Sequence, residues 1–152
     1  MSEAYRKGVC IGRGSFGQVY KGVVKETGQV VALKLQDLEK AADEIDIIRR
    51  EVQVMSEISS EYVVRYYSSF IEGSTLWLVM EYMSGGSLKD ILDAIGPFPE
   101  DAVAIIMKAL CKGLSYIHRE QKLHRDIKAA NILLTNEAVS YTHLTLPTTS
   151  RV

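Results

Sequence analysis

The sequence is poor in cysteine. Its 152 residues hold only Cys10 and Cys111, which excludes a disulfide-stapled scaffold and fits a reducing compartment. Both lie in apolar runs, so the expectation is that they are buried and inert. Long apolar runs are missing as well. No stretch reaches the length of a transmembrane helix, and MSEAYRKGV has no apolar signal-peptide core. Charge of one sign is not in excess: 18 Lys and Arg against 19 Asp and Glu leave a net −1. That gives no footprint for nucleic acid and no polybasic membrane anchor. What is present, 47% hydrophobic residues, is enough for one real core. A cytoplasmic single domain is the expectation.

The chain divides by the period of its apolar residues. Residues 5–35 read as strands, with VCI, QVYKGVV and, after the turn signal KETG, QVVALKL. Residues 43–58 read as a helix with Ile45, Ile48, Val52 and Met55 along one face. Two more strand-like runs, VVRYYSSF and LWLVMEY, flank an EGS turn. MSGGS then marks a flexible break, followed by the helical SLKDILDAI, a GPFP turn and a long helix from about Pro99 to His118. A small strand-rich unit therefore precedes a helical one, with a glycine hinge near Ser84–Gly86.

Three local patterns carry chemistry. Gly12-Arg13-Gly14-Ser15-Phe16-Gly17 is a G-x-G-x-x-G. A dinucleotide-binding turn needs a helix after the third glycine, and here the strand-forming QVYKGVV follows. The loop alone leaves open an empty glycine hairpin and one that lies over phosphates with free backbone N–H groups. Next, Lys34 ends the apolar strand VALK. It is either a solvated edge residue or a cation held against anionic oxygens by Glu51, which sits beside the apolar face of the next helix. Glu51 has its own plainer alternative, pairing with Arg49, Arg50 or solvent. Finally, LHRDIKAANILL offers Asp126, Lys128 and Asn131 from one short loop. There a carboxylate can accept a hydroxyl proton, a lysine can neutralise a transferring phosphoryl group and an amide can hold Mg2+. A charged loop between helix and strand is the plainer reading. His118 and His124 lack a cysteine or a further histidine placed to complete a metal site, and Trp77 reads as a core strand residue.

In this order, the three patterns resemble the protein-kinase signature set. The match runs from about Tyr5 to Glu137. DLEKAADEIDIIRREVQVMSEISS and LVMEYMSGGSLKDIL resemble the germinal-centre-kinase-like, sterile-twenty-related branch, and Lys128 resembles serine/threonine rather than tyrosine kinases. The resemblance implies an α+β fold: a small antiparallel sheet lobe with one helix (5–83), a hinge and the incomplete start of a mainly helical lobe (84–137), then a non-matching tail (138–152). It implies ATP and Mg2+ as cofactors, protein substrates, and an activating kinase or scaffold as a further partner. Ile11, Gly12, Gly14, Ser15 and Gly17 would cover the ATP phosphates. Lys34, paired with Glu51, would contact the α- and β-phosphates. Val19, Ala32 and Leu133 would sandwich adenine, with Met80 behind the pocket. The Glu81 carbonyl and Met83 N–H would meet the adenine edge, and Ser87 the ribose. Asp126 would be the catalytic base, Lys128 the phosphate clamp and Asn131 an Mg2+ ligand. His124 would be a packing residue, and Arg125 matches kinases whose activation loop is ordered by phosphorylation.

The pattern breaks after NILLT. There the family turns once and runs a strand into Asp-Phe-Gly, whose Asp holds Mg2+. This sequence has no Asp or Glu after Glu137, so the expectation is a chain that transfers phosphate poorly or not at all. About half of the family's domain is expected to be present. The helix EDAVAIIMKALCKGLSYIHR adds a second argument. Lys108, Lys112, Ser115 and Arg119 make one narrow polar stripe on a largely apolar circumference, which calls for packing partners on several sides. The tail has two readings. VSYTHLTL alternates well enough to add a strand beside NILL, ended by Pro147. As to origin, the tail reads as foreign sequence, such as a frameshift or adaptor read-through, and this is the favoured reading; a native splice variant would give the same text.

Overall fold

The computed structural model describes residues 1–14, 17–135 and 142–145. Ser15, expected at the phosphates, and most of the tail, including Pro147, lie outside the described residues. The chain forms two compact units. One comprises Met1–Ser56 and Tyr66–Tyr82, the other Glu57–Arg65 and Met83–Val152.

The first unit is an antiparallel sheet of β1 (Tyr5–Gly14), β2 (Gly17–Val24), β3 (Val30–Asp37), β4 (Tyr66–Glu72) and β5 (Thr75–Glu81). Their spatial order is β1-β2-β3-β5-β4. Glycines set the two hairpin turns foreseen from KETG and EGS. Gly28 (φ 73°) and Gly73 (φ 60°) both occupy the left-handed region that a Cβ disfavours. The strands form because β-branched and aromatic residues alternate with polar ones. Val31, Leu33 and Val79 are buried as a cluster on one face, under Tyr5, Tyr20, Phe70 and Trp77. Phe70 stacks on both Tyr5 and Trp77, with ring centroids 5.9 and 5.6 Å apart, so Trp77 is the core strand residue expected of it. Ala32, Lys34 and Gln36 point to the opposite face by strand alternation.

Helix α1 (Ile45–Glu57) starts two residues later than its apolar period suggested, after a 3-10 turn over Ala42–Glu44. Its buried side is also narrower. Ile48, Glu51 and Met55 are buried and Val52 half-buried, but Ile45 is exposed.

In the second unit, α2 (Leu88–Ile95) and α3 (Glu100–Arg119) accompany a small antiparallel sheet. Its strands are β6 (Gly86–Ser87), β7 (Ile132–Leu134) and β8 (Thr142–Leu144), in the order β6-β7-β8. The stretch read as a flexible break is thus partly a strand. Gly85 explains why: its N–H meets the Leu134 carbonyl at 2.9 Å, and a Cβ there would lie 2.7 Å from that oxygen. Ser87 then opens α2 with a capping box. Its hydroxyl accepts from the Asp90 N–H, and the Asp90 carboxylate accepts from the Ser87 N–H.

Helix α3 packs on β8 with Ile106, Ala109, Leu110, Gly113 and Ile117 buried. Gly113 is where the helix comes closest. A Cβ on it would meet the Leu144 side chain at 3.2 Å and the Tyr62 carbonyl at 3.1 Å. As the sequence implied, apolar residues extend around the helix beyond this face, and Val103, Ile105 and Met107 remain exposed.

Both cysteines contradict the expectation of burial: Cys10 and Cys111 are exposed. Cys10 lies on β1, an edge strand whose side chains are exposed from Arg6 to Ile11. Cys111 lies one residue beyond the buried Leu110, and a step of about 100° turns it out of the packed face. No helix among the described residues is long and apolar enough to cross a membrane.

Candidate active site

The candidate residues fall in both units. In the sheet unit, β1 and β2 bring Gly12 opposite Val19 and Gly14 opposite Gly17. The glycines differ in what they are needed for. A Cβ on Gly17 would come within 2.1 Å of the Leu35 carbonyl oxygen, so Gly17 is required by the β2–β3 approach itself. A Cβ on Gly12 would make only ordinary contact with Val19, and one on Gly14 would meet nothing within 4 Å. Packing among the described residues does not require glycine at these two positions. Ile11, beside them, is exposed.

Strand pairing gathers the rest of the expected set onto one face of the sheet. Val19 pairs with Lys34, Lys34 with Leu78 and Ala32 with Met80. Directly paired residues share a face, so Val19, Ala32, Lys34 and Met80 lie together. Glu81, one position beyond Met80 and paired with Val31, places its side chain on the other face. Lys34 is half-buried, and Glu51 on α1 is buried. Loss of hydration pulls the Lys34 ammonium down to about 8, with the Glu51 carboxylate opposing that fall. Lys34 is therefore not a plain solvated edge residue. Glu51 acts on it electrostatically, while Arg49 and Arg50 are exposed.

In the helical unit the loop after α3 converges as its spacing suggested. The Lys128 ammonium lies 2.8 Å from Asp126 Oδ2. The Asn131 amide donates to the same carboxylate oxygen and to the Asp126 carbonyl, both at 2.8 Å. Lys128 first, with Asn131 adding, holds the Asp126 carboxyl below the usual range against some loss of hydration. A 3-10 turn over Ala129–Asn131, closed by the Asn131 N–H on the Lys128 carbonyl at 2.9 Å, sets the spacing. Arg125 adopts φ 62°, an uncommon left-handed conformation for a residue with a Cβ.

His124 braces this loop from behind. It is buried, its Nε2 sits 2.5 Å from the Thr145 carbonyl, and its Nδ1 accepts the Asp126 N–H at 3.3 Å. Those two partners require the neutral ring with its proton on Nε2. Packing, the role expected of it, is thus joined by a polar one. Thr145 completes the brace through its N–H and hydroxyl, which donate to the Asn131 carbonyl at 3.0 and 3.1 Å. Sequence reading did not single out Thr145, although the alternation of VSYTHLTL was the available signal.

The remaining expected contacts are Met83, buried, Leu133, half-buried and paired with both Ser87 and His143, and Ser87 itself. The Ser87 hydroxyl is engaged with the Asp90 carboxylate at 2.6 Å, so helix capping accounts for it without a ligand.

A family described as Protein kinase domain matches residues 5–145. Sporulation-specific protein 1 of Saccharomyces cerevisiae is 40% identical over 140 residues, covering 91% of this chain and 29% of that protein. Serine/threonine-protein kinase ppk11 of Schizosaccharomyces pombe is 40% identical over 135 residues, 89% of this chain and 43% of its own length. Serine/threonine-protein kinase sid1 of the same yeast is 44% identical over 126 residues, 83% of this chain and 26% of its own. The chain belongs to the protein kinase domain family, in agreement with the serine/threonine, germinal-centre-kinase-like resemblance. It spans less than half the length of each of these relatives. Members of the family generally use ATP and Mg2+.

Proposed function

We propose that this chain carries the nucleotide-gripping and catalytic-loop residues of a serine/threonine protein kinase. Its reaction would move the γ-phosphoryl group of ATP to a hydroxyl of a protein substrate. The observation that carries the reading is the bonded cluster of Asp126, Lys128 and Asn131 on one short loop. Asp126, ionised and oriented by two donors, accepts the proton of the substrate hydroxyl. Lys128, on leaving the carboxylate, meets the charge of the moving phosphoryl group. Lys34, steadied by Glu51, holds the α- and β-phosphates. Gly12 and Gly14, which packing does not require to be glycine, let the backbone approach the phosphates together with Ile11, Ser15 and Gly17. Val19, Ala32, Met80, Glu81, Met83 and Leu133 hold the adenine, and Ser87 the ribose.

Magnesium bound with the nucleotide would neutralise phosphate charge, but the donor set of this chain fits it poorly. Among the described residues no group of three His, Cys, Asp or Glu could hold a metal. Asp126 is occupied by an ammonium and an amide, and residues 138–152 contain no Asp or Glu. Slow transfer by this chain is therefore expected. The domain we propose runs from 5 to 137, with 5–83 as the upper lobe and 84–137 as the hinge and start of the lower lobe. The compartment is the cytoplasm, and an activating kinase or scaffold is a partner.

Transfer of radiolabelled phosphate from ATP to a library of Ser/Thr and Tyr peptides tests the reading. Weak Ser/Thr labelling that disappears in Asp126→Asn supports it. Labelling of tyrosine, or labelling indifferent to Asp126, overturns it, and robust Asp126-dependent turnover overturns the expectation of slowness. A second reading, an inactive ATP-binding or kinase-interacting module, is favoured by the exposed Val103, Ile105 and Met107 on α3. It predicts nucleotide or partner binding with no labelling at all.

A further inference from the structure

We infer that this chain takes ATP as the metal-free anion in preference to its magnesium complex. The inference rests on the nucleotide reading above and concerns the form of the ligand. Mg2+ demands near-octahedral oxygen ligation, sheds water reluctantly, and is ordinarily held by one or two carboxylates together with substrate phosphates.

The helical unit offers little of this. Its catalytic-loop carboxylate, Asp126, already has Oδ2 shared between the Lys128 ammonium and the Asn131 amide, each at 2.8 Å. A divalent cation at that oxygen must displace an ammonium or stand against its charge. Asn131 directs its NH2 group to Asp126 twice, which leaves the metal one neutral amide oxygen. The hydroxyl and N–H of Thr145 are both bonded to the Asn131 carbonyl.

The cations point the other way. Lys34 and Lys128 are matched to phosphate oxygens, as are backbone N–H groups along the glycine strand, and each gains most from a phosphate chain whose charge is not already neutralised. Magnesium on that chain removes charge from it and occupies oxygens these donors would use. With Asp126 already bonded to Lys128 and Asn131, and no metal-holding group of His, Cys, Asp or Glu among the described residues, the magnesium complex is the weaker ligand.

Calorimetric titration of the whole chain with ATP, once in EDTA and once in saturating magnesium chloride, tests this. Binding in EDTA is expected to be at least as tight as in magnesium. A gain of about tenfold or more on adding magnesium overturns the inference. The independent arm uses no nucleotide. Mn2+ is titrated into the chain and the free ion followed by electron paramagnetic resonance. No stoichiometric uptake is expected, and a stoichiometric site overturns the inference. Failure of ATP to bind in either buffer overturns the nucleotide reading along with it. Binding that requires magnesium overturns only the preference for the free anion.

Discussion

The two units handle their candidate charges in opposite ways. In the sheet unit, Lys34 and Glu51 come from a strand and a helix, and the low-dielectric setting has pulled the lysine down to about 8. In the helical unit, Asp126 and Lys128 are half exposed, with side chains 42% and 55% accessible. Their positions come from a mesh of hydrogen bonds through Asn131, His124 and Thr145. One arrangement holds a lysine against its loss of hydration between a strand and a helix. The other spends little on desolvation and relies on a brace that includes β8. The first should respond to pH and charge removal, the second to loss of the brace.

The largest effect expected is therefore on packing behind the loop. Leu144 is 1% exposed, lies against Gly113 of α3, and exchanges backbone hydrogen bonds with Tyr62 and Val64 at 2.9 Å. Leu144→Ala is expected to cost about 3 kcal/mol, the range for a fully buried leucine replaced by alanine. Urea denaturation followed in the helical unit checks it. A loss below about 1 kcal/mol would mean that β8 does not brace the loop.

Next comes the charge pair. Because the Lys34 pKa is depressed on folding, its unfavourable charge is present below about pH 8 and is relieved as pH rises toward the ordinary 10.5. The unfolded chain binds the extra proton across that window, so stability rises through it. Relative to Lys34→Met, the parent chain should gain stability between those limits. Glu51→Gln removes the opposing attraction and should push the Lys34 value below about 8, as read by NMR titration of the lysine side chain. No downward shift would place Glu51 outside the electrostatic reach of the ammonium. Smaller again is Ser87→Ala, expected to cost about 1 kcal/mol through the lost capping box of α2.

Much of this was legible from sequence, for reasons specific to each element. The β3 alternation of Val31 and Leu33 against Ala32 and Lys34 fixed which side chains share a face, because a strand has a strict period of two. Asp126, Lys128 and Asn131 were legible because their spacing is local and a single 3-10 turn realises it. What escaped was decided by tertiary approach. Gly85 reads as a flexible residue until Leu134 is seen 2.9 Å away. Cys111 reads as buried because its neighbours are apolar, yet the turn of the helix carries it out of the packed face. Thr145 escaped because alternation marks a strand without saying which of the tail's several Thr and Ser hydroxyls finds a partner. Its hydroxyl matters only through a carbonyl 14 residues earlier.

The sharpest test of the contrast is the smallest in energy. Asp126 has its carboxyl held low chiefly by Lys128, so its contribution is present above the unfolded pKa and is lost as pH falls through the lower folded value. Lys128→Met removes the largest cause, and the folded pKa should move up toward the ordinary carboxylate range while Asn131 keeps part of the depression. Because both side chains are about half exposed, solvent screens the pair, and the cost at neutral pH should stay below about 1 kcal/mol. Carboxyl carbon NMR across the acid range reads the pKa, and urea denaturation reads the cost. A modest pKa rise with a correspondingly small stability change is the signature of a solvated loop whose charges are arranged for use. A cost as large as that of Leu144→Ala would show instead that the ion pair holds the fold, and the contrast between the two units would collapse.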